Sequence, residues 1–210
     1  MAREESAETA GRIPVRIDRR ALVRLVLGFA AGLAFWLAFP APYERTVAAA
    51  AEFLLRAFES PAVTRVAASP GEFRVDRADF PPSSPRPGLP TADLHFNFVL
   101  LCALFALSPG PLSAANVGRF WAATAALWAI HVLALVFQVE SLYATRLGPW
   151  SQAHYGPVAR NLWAGGFHFY QIAGRFAAPF AIWWFFGRSE PAPAEEPARG
   201  PRRKKKRSKV

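Results

Sequence analysis

The strongest constraint in this sequence is the clustering of its apolar residues into four stretches that carry almost no charge. Hydrophobic residues make up 52% of the chain, but most charges lie in the two termini and one long loop. A bilayer core of about 30 Å requires roughly 17 to 25 mainly apolar residues in one helix. This distribution excludes an ordinary soluble enzyme and predicts an all-α membrane protein with four transmembrane helices.

The predicted transmembrane helices cover residues 21–39, 94–112, 120–139 and 168–186. The second reaches a spanning length only if the residues flanking 94–107 enter the interface. The first could instead be a cleaved signal peptide with a small-residue site near residues 38–41. Pro40 and Pro42 would crowd that site, so an uncleaved anchor is favoured. Gly28 and Gly32 in this helix form a GxxxG pattern, which permits close helix approach.

Both termini are basic, and this predicts the orientation of the bundle. Residues 1–20 contain five Arg, and the tail at 187–210 contains nine basic and three acidic residues. Segments rich in Lys and Arg remain in the cytoplasm. An even number of spans then puts both termini inside and the loops 40–93 and 140–167 outside.

The basic run at the end of the chain is predicted to contact anionic lipid head groups, as such clusters near membranes do. Nucleic-acid binding is not expected, because no folded module or stacking platform accompanies the run. The residues concerned are Arg202, Arg203, Lys204, Lys205, Lys206 and Arg207.

The outer loop 40–93 predicts a small subdomain of one amphipathic helix and one β-hairpin. The helix is expected at 43–58 and the hairpin at 64–79, with its turn at 69–71 and an extended linker at 81–90. The apolar residues of the helix face recur at helical spacing: Val47, Ala51, Leu54, Leu55 and Phe58. A segment of this size buries too little apolar area to fold alone. It is expected to pack on the membrane surface or on a partner.

Ionisable residues within membrane helices are costly and usually face a partner or a cavity. His131, Arg175 and Cys102 all lie roughly 10 to 13 Å inside the predicted outer boundary, at 1.5 Å per residue. In one interpretation His131, Gln171 and Arg175 satisfy one another or backbone carbonyls. In a second, they form a polar surface for a partner membrane protein or an exported peptide. The candidate residues of that surface are Arg175, Gln171, Tyr170, His131, His168 and Glu140.

A third interpretation is catalytic, with Cys102 as nucleophile, His131 as base and Arg175 as charge stabiliser. The apolar run LLCALFAL around Cys102 instead favours an inert packed thiol. A single Cys excludes a disulfide framework. A metal site would require His95, His131 and His168 to converge, which their spacing does not demand, and no cofactor is predicted.

Three segments together resemble one family of bacterial membrane proteins. They are GEFRVDRAD in the outer loop, LHFNFVLLCALFAL in the second span and FYQIAGRFAAPFAIWW in the last, where Tyr170, Gln171, Gly174, Pro179 and Trp183 stand. This pattern resembles the exosortase H-associated membrane proteins. The resemblance implies a location in the bacterial inner membrane and an accessory role beside an exosortase, the enzyme that processes C-terminal sorting signals.

The function predicted from the sequence is therefore a non-enzymatic accessory or scaffold subunit of a protein-sorting system. The alternative is a membrane-embedded cysteine peptidase or transpeptidase. Exosortases resemble enzymes with Cys, Arg and His in that chain order, whereas this chain has Cys102, His131 and Arg175. Catalytic roles are therefore not carried over. A small transporter is disfavoured by only four spans and no inverted repeat.

Overall fold

The computed structural model describes residues 18–84 and 86–187, and it is mostly helical with a small three-stranded sheet. The predictions for residues 1–17 and for the basic run from Arg202 to Arg207 lie outside the described residues. The outer subdomain and the helix before it comprise α1 (Arg19–Ala38), α2 (Pro40–Phe58), β1 (Thr64–Ser69), β2 (Glu72–Arg77) and β3 (Gly88–Pro90). The remaining helices are α3 (Ala92–His95), α4 (Asn97–Ala106), α5 (Ala114–Arg146), α6 (Pro149–His154), α7 (Pro157–Phe169) and α8 (Arg175–Phe186).

Within the part of the chain that the structure describes, two helices, α1 and α5, are long and apolar enough to cross a membrane, by length and composition. The α5 helix has 33 residues and extends beyond the predicted span at both ends. The α4 helix has only 10 residues, because Phe96 separates it from α3 and a Pro- and Gly-containing segment follows it. A π-helical turn at Tyr170–Gly174 joins α7 to α8, so the helix around the fourth predicted span begins at Pro157.

The α2 helix and the sheet pack together on the C-terminal half of α5, with Val47, Phe73, Leu135 and Val139 in one core. The outer loop therefore packs on α5 of its own chain, rather than only on the membrane surface or a partner. The Glu52 carboxylate strengthens this arrangement by accepting a hydrogen bond of 2.9 Å from the backbone of Val66 in β1.

The expected hairpin is present as β1 and β2, which pair antiparallel around a turn where Gly71 has a φ of +78°. Such a backbone conformation favours glycine. The predicted linker 81–90 differs from expectation, since its end forms β3 and pairs Leu89 with Phe73 of β2. Phe58 also differs from the predicted apolar face. It is the last residue of α2 and is 88% exposed.

The GxxxG pattern of α1 lies directly against α4. A Cβ atom added to Gly28 would lie 2.5 Å from the Cβ of Ala106, and one added to Gly32 would lie 2.8 Å from the Cβ of Cys102. Atoms this close would overlap, so both glycines are required for the observed approach of the two helices. Cys102 and Ala106 provide the matching small side chains one turn apart on α4.

Candidate functional site

A chain of polar side chains, three of them buried and Tyr43 half-buried, joins four separate elements where the outer subdomain meets the helices. The Tyr43 hydroxyl of α2 lies 2.5 Å from Nδ1 of His131 in α5. The other ring nitrogen, Nε2, lies 2.7 Å from Oδ1 of Asn97 in α4. The Asn97 amide reaches the Tyr170 hydroxyl at 3.4 Å, and Tyr170 donates to the backbone carbonyl of Leu94 at 2.9 Å. We call Tyr43, His131, Asn97 and Tyr170 the polar chain.

The donors and acceptors of the polar chain assign the protonation of His131. Tyr170 uses its hydroxyl hydrogen on Leu94, so it accepts from the Asn97 amide. The Oδ1 atom of Asn97 must then accept from Nε2–H of His131, which leaves Nδ1 to accept from Tyr43. Burial raises the pKa of Tyr43 well above its ordinary value, and the nearby Tyr170 raises it further by a smaller amount. The Tyr43 phenol therefore stays protonated and remains a donor.

His95 lies beside the polar chain without belonging to it. Its ring packs edge-on against Tyr43 and Phe73, and its centroid lies 5.9 Å from that of His131. The residue is 2% exposed, and its Nε2 atom is buried without a hydrogen-bond partner among the described residues. A buried ring nitrogen in this position is available to a ligand.

A second polar cluster holds the sheet to the C-terminal end of α5. The Arg77 guanidinium pairs with Glu59 at 3.1 Å and contacts both carboxylate oxygens of Asp79 at 3.0 Å. Its Cζ atom also lies 4.9 Å from the ring centroid of Tyr143 and 4.8 Å from that of Trp150. We call this set the Arg77 clamp.

Charge pairing shifts the pKa values within the Arg77 clamp. Burial alone would lower the pKa of Arg77, but the hydrogen bond and charge of Asp79 outweigh it and raise that pKa. The hydrogen bond from Arg77 lowers the pKa of Asp79. Burial raises the pKa of Tyr143 to about 12. Near neutral pH the clamp is thus an ion pair enclosed by neutral aromatic rings.

The structure places the six predicted partner-binding residues in three different settings. His131 and Tyr170 are buried in the polar chain, while Gln171 and Arg175 are half-buried at the π-helical turn. His168 is exposed on α7, and Glu140 is half-buried at the outer end of the predicted third span. Glu140 accepts a hydrogen bond of 2.8 Å from Tyr155, and burial raises the pKa of its carboxyl.

His131 finds different hydrogen-bond partners from those considered in the sequence. Both of its ring nitrogens are engaged, by Tyr43 and by Asn97. Neither nitrogen is left for Gln171 or Arg175. Arg175 lies 5.4 Å from the ring centroid of Phe176, measured from its Cζ atom.

The three residues of the catalytic alternative do not form a nucleophile and base pair. Cys102 packs against Gly32 of α1 and lines an apolar cavity whose walls include neither His131 nor Arg175. Because both nitrogens of His131 are occupied, that ring is not available to take a proton from the thiol. Within residues 18–84 and 86–187, no group of three His, Cys, Asp or Glu side chains could hold a metal ion.

Sequence reasoning missed two residues that organise these clusters. Tyr43 lies 88 positions before His131, and no periodic pattern relates them. Arg77 stands among many surface arginines in the sequence, with no local feature to separate it from Arg74. Asn97 was recognisable as a polar residue near the start of an apolar helix, which is the one available signal.

The chain matches no family model, no curated protein and no solved structure.

Proposed function

We propose that this protein is a non-enzymatic accessory or scaffold subunit of an exosortase-type protein-sorting system in the bacterial inner membrane. The observation that carries the proposal is an exposed apolar stripe on the helix from Pro157 to Phe186, beside half-buried polar groups. The stripe comprises Phe169, Ile172, Phe176 and Phe180, all exposed, and Ile172 is 77% exposed. Gln171 and Arg175 lie next to it along the chain.

Exposed apolar helices support the membrane location. The most apolar window of α1 has a mean hydropathy of 2.0, yet only 6% of it is buried. In a soluble protein the core helix would hide its apolar side chains, because large exposed apolar patches are rare there. Contact with lipid hydrocarbon would explain why the apolar side chains of α1 and of the stripe are exposed. The proposed topology retains four spans, at 21–39, 94–112, 120–139 and 168–186, with both termini inside.

Polar groups beside an apolar stripe support a binding role toward another membrane protein. Without a hydrophobic driving force in lipid, helices associate through close packing and hydrogen bonds between polar side chains. Gln171 and Arg175 supply such groups at the π-helical turn, a feature that often occurs at functional sites. His168 and Glu140 extend the proposed contact toward the outer face, while His131 and Tyr170 support it from within.

The engaged His131 supports a scaffold over an enzyme. A cysteine peptidase or transpeptidase needs a base within hydrogen-bond reach of its thiol. His131 is committed to Tyr43 and Asn97, so the proposed role of the polar chain is to hold four elements in place. The alternative, a peptidase or transpeptidase that uses Cys102, His131 and Arg175, predicts a different result in the crosslinking experiment.

Cysteine labelling tests the proposed topology. In a Cys102→Ala background, we expect Ser83→Cys to react with a membrane-impermeant maleimide in intact spheroplasts. Ala115→Cys should react only after lysis, because it lies in the proposed cytoplasmic connection. Both residues are exposed, so a maleimide on the correct side of the membrane can reach a cysteine at either position. Labelling of Ala115→Cys in intact spheroplasts would contradict the proposed topology.

Site-specific photocrosslinking tests the proposed partner. A photoreactive amino acid at position 172 should crosslink to an exosortase-type membrane enzyme in native membranes. The same amino acid in place of Leu27 is the control, because Leu27 is an exposed apolar residue on α1. The crosslink should survive Cys102→Ala and weaken with Arg175→Ala.

A different result would favour the enzyme. If position 172 captured no partner and Cys102→Ala blocked maturation of an exported protein, the scaffold proposal would be wrong. Cys102 would then be the nucleophile. Equal crosslinking from positions 27 and 172 would show that the stripe does not select a partner.

A further inference from the structure

A pocket of about 430 Å³ lies where the end of α1 meets the start of α2 and the turn of the β-hairpin. Its volume falls within the range of small-molecule sites, about 300 to 1,000 Å³. The hairpin turn is held against the segment before α3, because the backbone N–H of Thr91 donates to the carbonyl of Gly71 at 3.1 Å. Residues distant in the sequence therefore form one concave surface, which we call the Glu44 pocket.

The side chain of Glu44 lines this pocket, although the residue is only 6% exposed. Among the groups that the structure describes, none donates a hydrogen bond to its carboxylate or forms an ion pair with it. The carboxylate oxygens are not among the fully enclosed unpartnered atoms, so they retain a surface that a ligand can reach. A mostly buried carboxylate without a partner is energetically costly, and a cation in the pocket would relieve that cost.

Two hydroxyl groups line the same pocket as Glu44. Thr91 is 4% exposed and Ser69 is half-buried, and neither hydroxyl has a hydrogen-bond partner among the described residues. A hydroxyl can accept a hydrogen bond as well as donate one, and a carboxylate accepts. The pocket thus offers three acceptors on three segments, which matches the three N–H donors of a primary ammonium group.

Arg45 adds a positive charge to the lining of the Glu44 pocket. Its side chain is exposed and forms no ion pair with Glu44 among the described contacts, since consecutive residues of a helix point in different directions. A guanidinium group in this position suits a phosphate. Leu37, at the end of the proposed first span, also lines the pocket and is 65% exposed. In the proposed topology the pocket therefore lies at the depth of the lipid head groups.

We infer that the Glu44 pocket binds the phosphoethanolamine head group of a membrane phospholipid. The ammonium group donates to Glu44, Thr91 and Ser69, and the phosphate contacts Arg45. This inference rests on the membrane location in the proposed function. It does not depend on a sorting partner.

Competition between two phospholipids tests the site in the full-length protein. Nanodiscs contain equal amounts of phosphatidylethanolamine and phosphatidylcholine with the same acyl chains, and native mass spectrometry measures which lipid stays bound to the released protein. The quaternary ammonium of phosphatidylcholine has no N–H donor, so the parent protein should retain phosphatidylethanolamine preferentially. Glu44→Gln should reduce this preference about tenfold, as for one lost charge-assisted hydrogen bond. Glu72→Gln is the matched control, since Glu72 lies on the same hairpin but does not line the pocket.

A second variant blocks the pocket without changing a charge. Ala41 is exposed and lines the pocket, so Ala41→Phe should exclude the head group and abolish the preference. Ala49→Phe should keep it, because Ala49 is exposed elsewhere on α2. Equal retention of the two lipids by the parent protein would overturn the site. So would a preference that survives both Glu44→Gln and Ala41→Phe.

A soluble competitor distinguishes a lipid from a free ligand. Glycerophosphoethanolamine carries the same head group without acyl chains, and we expect it to leave the bound lipid in place at equal concentration. Displacement of the lipid by this compound would overturn the membrane source and assign the pocket to a free phosphoethanolamine. A chain that passes the cysteine-labelling test but shows no lipid preference would reject the head-group site alone.

Discussion

Replacing His131 with Ala should lower the free energy of unfolding by about 3 to 5 kcal/mol, the cost of a cavity plus unsatisfied partners. His131 is 0% exposed, and the variant would leave both the Tyr43 hydroxyl and the Asn97 carbonyl without their hydrogen bonds. Thermal unfolding in detergent should show a fall in Tm of about 10 °C, at roughly 2 to 4 °C per kcal/mol.

Two further variants separate the polar chain from a general effect of losing a histidine. His168→Ala removes an exposed ring and should change stability by no more than about 0.5 kcal/mol. Tyr43→Phe deletes one hydroxyl and should cost about 1 to 3 kcal/mol. In the double variant the two losses should not add, because both act on one hydrogen bond. Additive losses would show that Tyr43 and His131 act independently.

Replacing Arg77 with Ala should release the outer subdomain from α5. The side chains of Arg77 and Glu59 are only 11% and 12% exposed, and breaking a buried ion pair costs about 3 to 5 kcal/mol. Cleavage of the loop 40–93 by proteinase K should therefore accelerate by roughly 100-fold, the factor for about 3 kcal/mol. The measurement uses proteoliposomes in which this loop faces outward.

Arg74→Ala is the matched control for the Arg77 clamp. Arg74 stands on the same strand and pairs with Glu72 at 2.8 Å, but its side chain is 61% exposed. An exposed pair contributes about 0 to 1 kcal/mol, so this variant should be cleaved nearly as slowly as the parent. Arg77→Lys keeps the charge but loses the planar fork, and it should be cleaved at an intermediate rate. Equal rates for Arg74→Ala and Arg77→Ala would contradict the role of the clamp.

Local patterns in the sequence determined the helical class, the hairpin and most of the inner face of α2. A long apolar run indicates a helix strongly because every residue in it contributes to the signal. The alternation of apolar and polar side chains in β1 and β2 can likewise be recognised from neighbouring residues alone. Val47, Ala51 and Leu55 are buried as their helical spacing predicted. The GxxxG pattern correctly indicated a close helix contact, although the sequence did not identify α4 as its neighbour.

Helix limits were less predictable because neighbouring elements set them. The helix around the fourth predicted span begins at Pro157, well before residue 168, because α7 continues through the π-helical turn into α8. The linker at 81–90 contains a strand because Leu89 has Phe73 of β2 to pair with. Such pairing depends on a partner elsewhere in the chain.

The candidate site was decided mostly by tertiary structure. The sequence identified His131 as a polar residue deep in an apolar helix, but its partners Tyr43 and Asn97 lie 88 and 34 positions away. Only the packing of α2 on α5 brings Tyr43 to His131. That a polar side chain lies within an apolar run is a property of one segment and can be read locally. Satisfaction of its hydrogen bonds requires several segments to meet, and only the folded chain determines which of them do.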